Sequence, residues 1–306
     1  MKSPTKRCVI ASLLAAAAAA LAHAQNMQQP LLPETFTQVS EHVYMITGFP
    51  NIGIVVGARA TLVVDTGLGT RNGATAARVA KKLSKGSKLY LTTTHFHPEH
   101  AGGEPGFPPE TILIRNRVQE EEARASGAAM IERFSTFSAL NKELLAGVTL
   151  RPADVTFDTE AVIDLGGGVI AQLLWFGPGH TKGDELTFVE PDRTLISGDL
   201  VQNKVVPGIA GDGGTARTWL EVLDKIAALG VRHVVPDHSS VGDGSLVGAE
   251  RAFIDAVRTR ALALKREGVS AQDAGSRLTA EFRTRYPDWP NLNLANFVQR
   301  IYQTEQ

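Results

Sequence analysis

Five histidines stand at the C-terminal ends of apolar, β-rich runs in three distant parts of the chain, and any fold must bring those ends together for the pattern to act as a unit. The first run opens into "YLTTTHFHPEHAGGE" (Tyr90–Glu104), which holds His95, His97, Glu99 and His100 as H-x-H-x-E-H. His180 follows in "GPGHTKGD", Asp199 in "LISGDL" and His238 in "VVPDH". A strand end that opens into a loop is where α/β sheets place their chemistry. Imidazole and carboxylate donors without thiolate suit zinc, with iron or manganese as substitutes. Two histidines at i and i+2 in an extended turn can bite one ion, while the side chains at i+4 and i+5 point toward a second. Seven donors exceed the needs of one tetrahedral ion but suffice for two, about 3.5–4 Å apart and sharing a carboxylate. A single strand-end histidine is more often a surface or hydrogen-bonding group; five in three such motifs are not. His42 and His233 are left over and are assigned to structure.

The chain has 306 residues, 43% hydrophobic and 21% charged, which suggests one large domain or two small ones. Residues 1–24 have the form of a secretory signal peptide: Lys2, Lys6 and Arg7 precede an alanine-rich run, and "AHA" (Ala22–Ala24) precedes an expected cleavage before Gln25. An uncleaved anchor is the alternative, although the run is short of the roughly 20 apolar residues that span a bilayer. Losing three basic residues leaves 28 Lys and Arg against 32 Asp and Glu, with no basic tract for nucleic acid. The only cysteine, Cys8, lies within that leader, so the mature chain has neither disulfide nor thiolate ligand.

Short glycine-punctuated strands, His42–Gly48, Asn51–Gly57 and Ala60–Gly67, come first and read as antiparallel neighbours. A helix over Arg71–Gly86 and the strand "KLYLTTTH" follow. Val118–Gly147 reads as helical and polar. Further strands lead to His180, Asp199 and His238, with an amphipathic helix over Thr215–Gly230. Residues 247–306 are expected to be helical, with breaks at Gly268 and around Pro287–Pro290. The expected fold class is α/β: a four-layer αββα sandwich of two β-rich halves with outer helices, plus a C-terminal helical extension on the same domain. The expected boundaries are 1–24, 25–246 and 247–306.

Together these motifs resemble the metallo-β-lactamase fold superfamily over about Thr37–Val241. The resemblance implies that His95, His97 and His180 hold a first metal, that Glu99, His100 and His238 hold a second, and that Asp199 bridges them. "VVDTG" is similar to the family's early Asp-Thr-Gly motif, which implies that Asp65 orients a ligand histidine; on sequence alone it is equally a turn aspartate. Two departures stand out. Glu99 replaces the usual aspartate, and "PDHS" (Pro236–Ser239) replaces Pro-Gly-His-Gly, so that Asp237 stands where the family carries glycine. The carboxylate at 199 resembles the glyoxalase and lactonase branch.

The expected function is a periplasmic or secreted hydrolase with two Zn²⁺ per chain, iron or manganese being an option in one site. A bridging hydroxide would attack an ester, lactone, thioester or lactam, with Glu99 orienting it and passing its proton onward. The expected partner is a small-molecule substrate, with no nucleic acid and no membrane after cleavage; the oligomeric state is left open. The alternative is a metal-binding accessory or redox-relay protein linked to periplasmic quinoprotein oxidation, because the H-x-H-x-E-H variant resembles secreted members associated with quinoprotein dehydrogenases. Phosphodiester cleavage is a weaker third reading. Phe49–Asn51 is an expected apolar lip of the cleft. The segment 118–147 is expected to overhang the cleft, and 288–297 either to cover it or to pack as core.

Overall fold

A computed structural model of the protein describes residues 31–211 and 213–306. The expected signal peptide lies outside the described residues. The first half runs β1 (Thr37–Gln38), β2 (Val43–Ile46), β3 (Ile52–Val56), β4 (Ala60–Val64), α1 (Thr70–Leu83), β5 (Lys88–Thr92), α2 (Pro98–Ala101), β6 (Ile112–Asn116), α3 (Arg117–Ser135), α4 (Ala139–Leu144) and β7 (Val155–Phe157). Its seven strands form one sheet in chain order. Tight hairpins make β1 to β4 antiparallel, and α1 then carries the chain over so that β5 pairs with β4 in parallel. The second half runs β8 (Glu160–Gly166), β9 (Val169–Leu174), β10 (Leu186–Glu190), β11 (Thr194–Gly198), α5 (Ala216–Ala228), β12 (His233–Pro236), β13 (Gly242–Asp243), α6 (Ser245–Arg266), α7 (Ala271–Arg285) and α8 (Ala295–Thr304). Its six strands are ordered β13-β12-β11-β10-β9-β8, and the helical crossover α5 makes β11 and β12 parallel.

The layers follow from which faces are apolar. Strands β3, β4 and β11 are buried on both faces, as strands covered by a second sheet on one side and a helix on the other must be. Val43, Val55, Leu62 and Val64 of the first sheet share a core with Leu165, Leu173, Ile196 and Val235 of the second. On the outer side of the first sheet, Ile52, Ile54, Val63 and Leu91 pack against Val79 and Ala80 of α1. On the outer side of the second, Leu186 and Phe188 pack with Trp219 and Leu223 of α5 and with Phe253, Phe282 and Phe297 of α6, α7 and α8. The architecture is the αββα sandwich with its C-terminal helical region.

Two local features differ from the sequence reading, and the open alternative at 288–297 resolves to core packing. The segment 118–147 is two helices: the chain breaks after Ser135, and Ser138 caps α4 by accepting the Asn141 N–H at 3.0 Å. β6 was not expected, and it extends the first sheet beyond β5. The stretch 288–297 packs as core, with Trp289 stacked on Phe253 at 4.2 Å and Phe297 buried.

Trp219 joins this outer core to the site, because its Nε1–H donates to the Leu200 carbonyl at 3.0 Å, next to Asp199. Trp219→Ala is therefore expected to cost about 3–5 kcal/mol of folding stability, the usual range for emptying a buried aromatic site. Denaturant unfolding of both proteins checks this, and a loss below about 1 kcal/mol would contradict the packing described.

Candidate metal centre

The C-terminal edge of the two central sheets gathers every donor expected from the sequence. β5 ends at Thr92 and the chain then bends through residues 94–97, with His97 itself in an extended conformation, before Pro98 starts α2 at its first position, where a missing N–H costs nothing. His95 and His97 therefore leave the connection between strand and helix, whereas Glu99 and His100 leave the helical turn. His180 lies beyond β9, Asp199 directly after β11, and His238 two residues after the end of β12. Gly198 has a φ of 56°, and a Cβ there would lie 2.7 Å from the Cβ of Thr94. Only glycine lets the end of β11 pass this close to the segment that bears His95.

The contacts link the donors in a chain. His97 Nδ1 lies 3.0 Å from His95 Nε2 and 3.3 Å from His180 Nε2. Asp199 Oδ2 lies 3.3 Å from His180 Nε2, and its Oδ1 lies 3.2 Å from His238 Nε2. His238 Nε2 lies 3.2 Å from His100 Nε2. Two donors each about 2.0–2.1 Å from a tetrahedral zinc stand about 3.3 Å apart, so these spacings fit ligands converging on an ion. His180 Nδ1 donates to the Gly208 carbonyl at 2.6 Å, which leaves Nε2 free as the donor atom.

The donors fall into two sets with no member in common, His95–His97–His180 and His100–Asp199–His238. Glu99 groups with His95 and His100, and not with Asp199 and His238. Its Oε1 is 3.9 Å from His100 Nε2, and its Oε2 is buried without a partner. That orphaned oxygen, in a cluster of nitrogen donors, fits a cation.

Electrostatics support the same reading at His95, His97, His238 and Asp199. Burial, followed by the neighbouring imidazoles, keeps His95 and His97 well below the usual histidine range, and hence neutral, the form that ligates. Burial lowers His238 to about 4. For Asp199, burial is outweighed by His238, His180 and His100, which hold it ionised well below the ordinary carboxylate range. Glu99 is pushed up to about 7, chiefly by burial.

Asp65, in a left-handed conformation with φ 69°, is fully buried and places Oδ2 3.1 Å from His100 Nδ1. It also accepts the Thr94 N–H at 2.7 Å. The sequence reading noted Asp237 as a departure but gave it no role. Its Oδ2 lies 3.2 Å from the same His100 Nδ1 and 3.1 Å from Thr94 Oγ1. His100 thus faces two carboxylates; burial, which would lower it, is outweighed by Asp65 and Asp237, and it is held well above the usual histidine range. Asn51, expected only as part of an apolar lip, is a brace: its Nδ2 donates to the carbonyls of Pro236 (2.8 Å) and Ser239 (2.9 Å), tying the first sheet's hairpin to the loop that bears His238. No local signal marks it, because its partners lie 185 and 188 residues away. His42, assigned to structure, pairs its Nδ1 with Asp192 at 2.7 Å, away from this centre.

Comparison with known proteins points the same way. The chain is 26% identical over 242 residues to acyl-coenzyme A thioesterase MBLAC2 of Homo sapiens, covering 70% of this chain and 80% of the relative. A solved metallo-beta-lactamase from Pontibacter korlensis superposes with a TM-score of 0.57 at 19% identity, covering 73% of this chain and 99% of that one. The sec-alkylsulfatase Pisa1 from Pseudomonas sp. superposes with a TM-score of 0.64 at 15% identity over 88% of this chain and 49% of its own. The model of the metallo-beta-lactamase superfamily matches residues 45–238 and so ends on the last histidine of the cluster. With that span containing both sheets' site-bearing strand ends and all seven donors, this chain belongs to the metallo-beta-lactamase superfamily of metal-dependent hydrolases.

Proposed function

We propose that the chain is a dinuclear zinc hydrolase acting on a carboxylic ester, thioester, lactone or lactam, with thioesters and esters of apolar acyl groups favoured. The observation that carries the two-metal reading is Asp199, whose two oxygens lie 3.3 and 3.2 Å from histidines of different donor sets. When bound, the zinc ions would supply Lewis acidity and an acidified water. The chain's own residues do the remaining work. Asp65 and Asp237 fix the ring of His100, the Gly208 carbonyl fixes that of His180, and Glu99 offers an unpartnered oxygen able to take up and release a proton near neutral pH.

Aromatic rings flank the site and support an apolar acyl group. Phe49 lies 4.3 Å from the His238 ring. On the other side α3 sets Phe134 5.9 Å from the His97 ring, with the ring of the exposed Phe137 tilted against it at 4.8 Å. The thioesterase named among the relatives supports the same preference.

Zinc-loaded protein offered a panel of chromogenic esters, acyl thioesters, lactones and a chromogenic cephalosporin tests the reading. Turnover of at least one acyl substrate is expected, with longer acyl chains preferred. Inactivity across the panel with two metals retained would instead favour the accessory or redox-relay role. We also propose export: protein made with its own leader should be recovered from the periplasm or medium starting at Gln25, and mass spectrometry that finds residues 1–24 intact would refute this.

A further inference from the structure

The residue that links the two strand ends behind the bridging carboxylate is Gln202, a buried amide with only 5% of its surface exposed. Both ends of the amide are engaged. Its Nε2 donates to the Gly198 carbonyl at 3.1 Å and to Asp199 Oδ1 at 3.3 Å. Its Oε1 accepts from Ser239 Oγ at 2.8 Å and from the His238 N–H at 3.3 Å. One side chain therefore touches the carboxylate oxygen that faces His238 and also the backbone that carries His238. Ser239 Oγ also accepts the Asn203 N–H at 2.8 Å, so the two loops are laced together at consecutive residues. Behind them, the Gln202 N–H donates to Glu250 of α6, a carboxyl almost fully buried whose Oε1 has no partner.

An amide is suited to this position. It needs a donor toward a carboxylate and an acceptor toward an N–H and a hydroxyl, and glutamine supplies both without adding charge beside Asp199. Glutamate would face Asp199 with a second anion, and an aliphatic residue would leave Asp199 Oδ1 and the His238 N–H without this partner. None of these contacts reaches His95, His97 or His180.

We propose that Gln202 is a positioning residue that sets the separation between Asp199 and His238, and through it the affinity of the second metal site alone. The proposal rests on the two-metal reading above. Its test is zinc binding to full-length protein in graded zinc–chelator buffers, with the absorption spectrum of the cobalt-substituted protein as a second readout. Gln202→Met, close in shape but unable to make these bonds, should bind its first zinc as wild type does and its second about tenfold more weakly, at the low end of what outer partners of metal ligands contribute. Ser239→Ala, which removes the hydroxyl donor to Oε1 together with the acceptor of the Asn203 N–H, should weaken the second zinc at least about threefold, the effect of one neutral hydrogen bond. It carries the test should Gln202→Met fail to fold. Unchanged second-site affinity in the variants, or equal weakening of both sites, would overturn the proposal. A wild-type protein that binds a single zinc would remove the two-metal reading itself, and with it the second site.

Discussion

Asp199→Asn is expected to retain fewer than two zinc ions per chain and to lose more than about a hundredfold of the turnover. The lower bound follows from scale: groups that only support a metal ligand contribute 10–100-fold, and Asp199 stands among the ligands themselves. The amide keeps the shape of the side chain but removes a negative charge placed between His180 and His238, at 3.3 and 3.2 Å. It also turns an NH₂ group toward one of those two imidazoles in place of a lone pair. Zinc analysis and turnover on the best acyl substrate check this together. A variant with two zincs and wild-type turnover would show that the carboxylate does not join the two donor sets.

Glu185→Gln should have the opposite sign, stabilising the protein as the pH rises. Glu185 lies between the strand that delivers His95 and the loop that follows His180. It bonds to Thr92 Oγ1, and its Oε2 accepts the Asn116 N–H at 2.9 Å, while its own N–H donates to the Thr94 carbonyl at 2.7 Å. Thr92 has one hydroxyl proton and two acceptors, the Ile114 carbonyl at 2.8 Å and Glu185 Oε1. A protonated Glu185 resolves the conflict by donating to Thr92 while Thr92 donates to Ile114. Burial, despite bonds from Thr92 and Asn116 that favour the anion, raises the carboxyl from 4.5 to about 8. The folded state thus keeps a proton that the unfolded chain releases above about 4.5. Between those values the unfolded state binds fewer protons, so stability falls as the pH rises through the window. Glutamine places a permanent N–H at the same point. From pH 6 to pH 8 the variant should gain about 2–3 kcal/mol relative to wild type, at about 1.4 kcal/mol per unit. Urea unfolding at the two pH values measures the difference, and pH effects on metal binding are common to both proteins. Parallel stability–pH curves would mean that Glu185 is ionised in the fold.

The candidate metal donors were legible in the sequence because ligands must be particular residue types and because the fold puts them at strand ends, so that type and place coincide. Asp65 was legible only through the resemblance. The residues that brace the donors were hidden for a physical reason. Gln202 and Asn51 act through single side chains on backbone 36 to 188 residues away, and asparagine or glutamine near a turn carries no periodic signal. The break between α3 and α4 was missed because no proline or glycine stands at it, and the Ser138 cap marks the boundary. β6 was missed because its apolar core, Ile112–Ile114, is short and runs straight into Arg115, whose buried guanidinium pairs with Glu104 and Glu120. A buried ion cluster of that kind reads as surface from composition alone.

The number of ions that the centre holds decides whether Asp199 joins two metal sites. Purified protein equilibrated with excess zinc, then freed of loosely bound metal by gel filtration and analysed by atomic emission, should contain two zinc ions per chain. One zinc or none under these conditions would contradict the reading of Asp199 as the carboxylate shared by two metal sites.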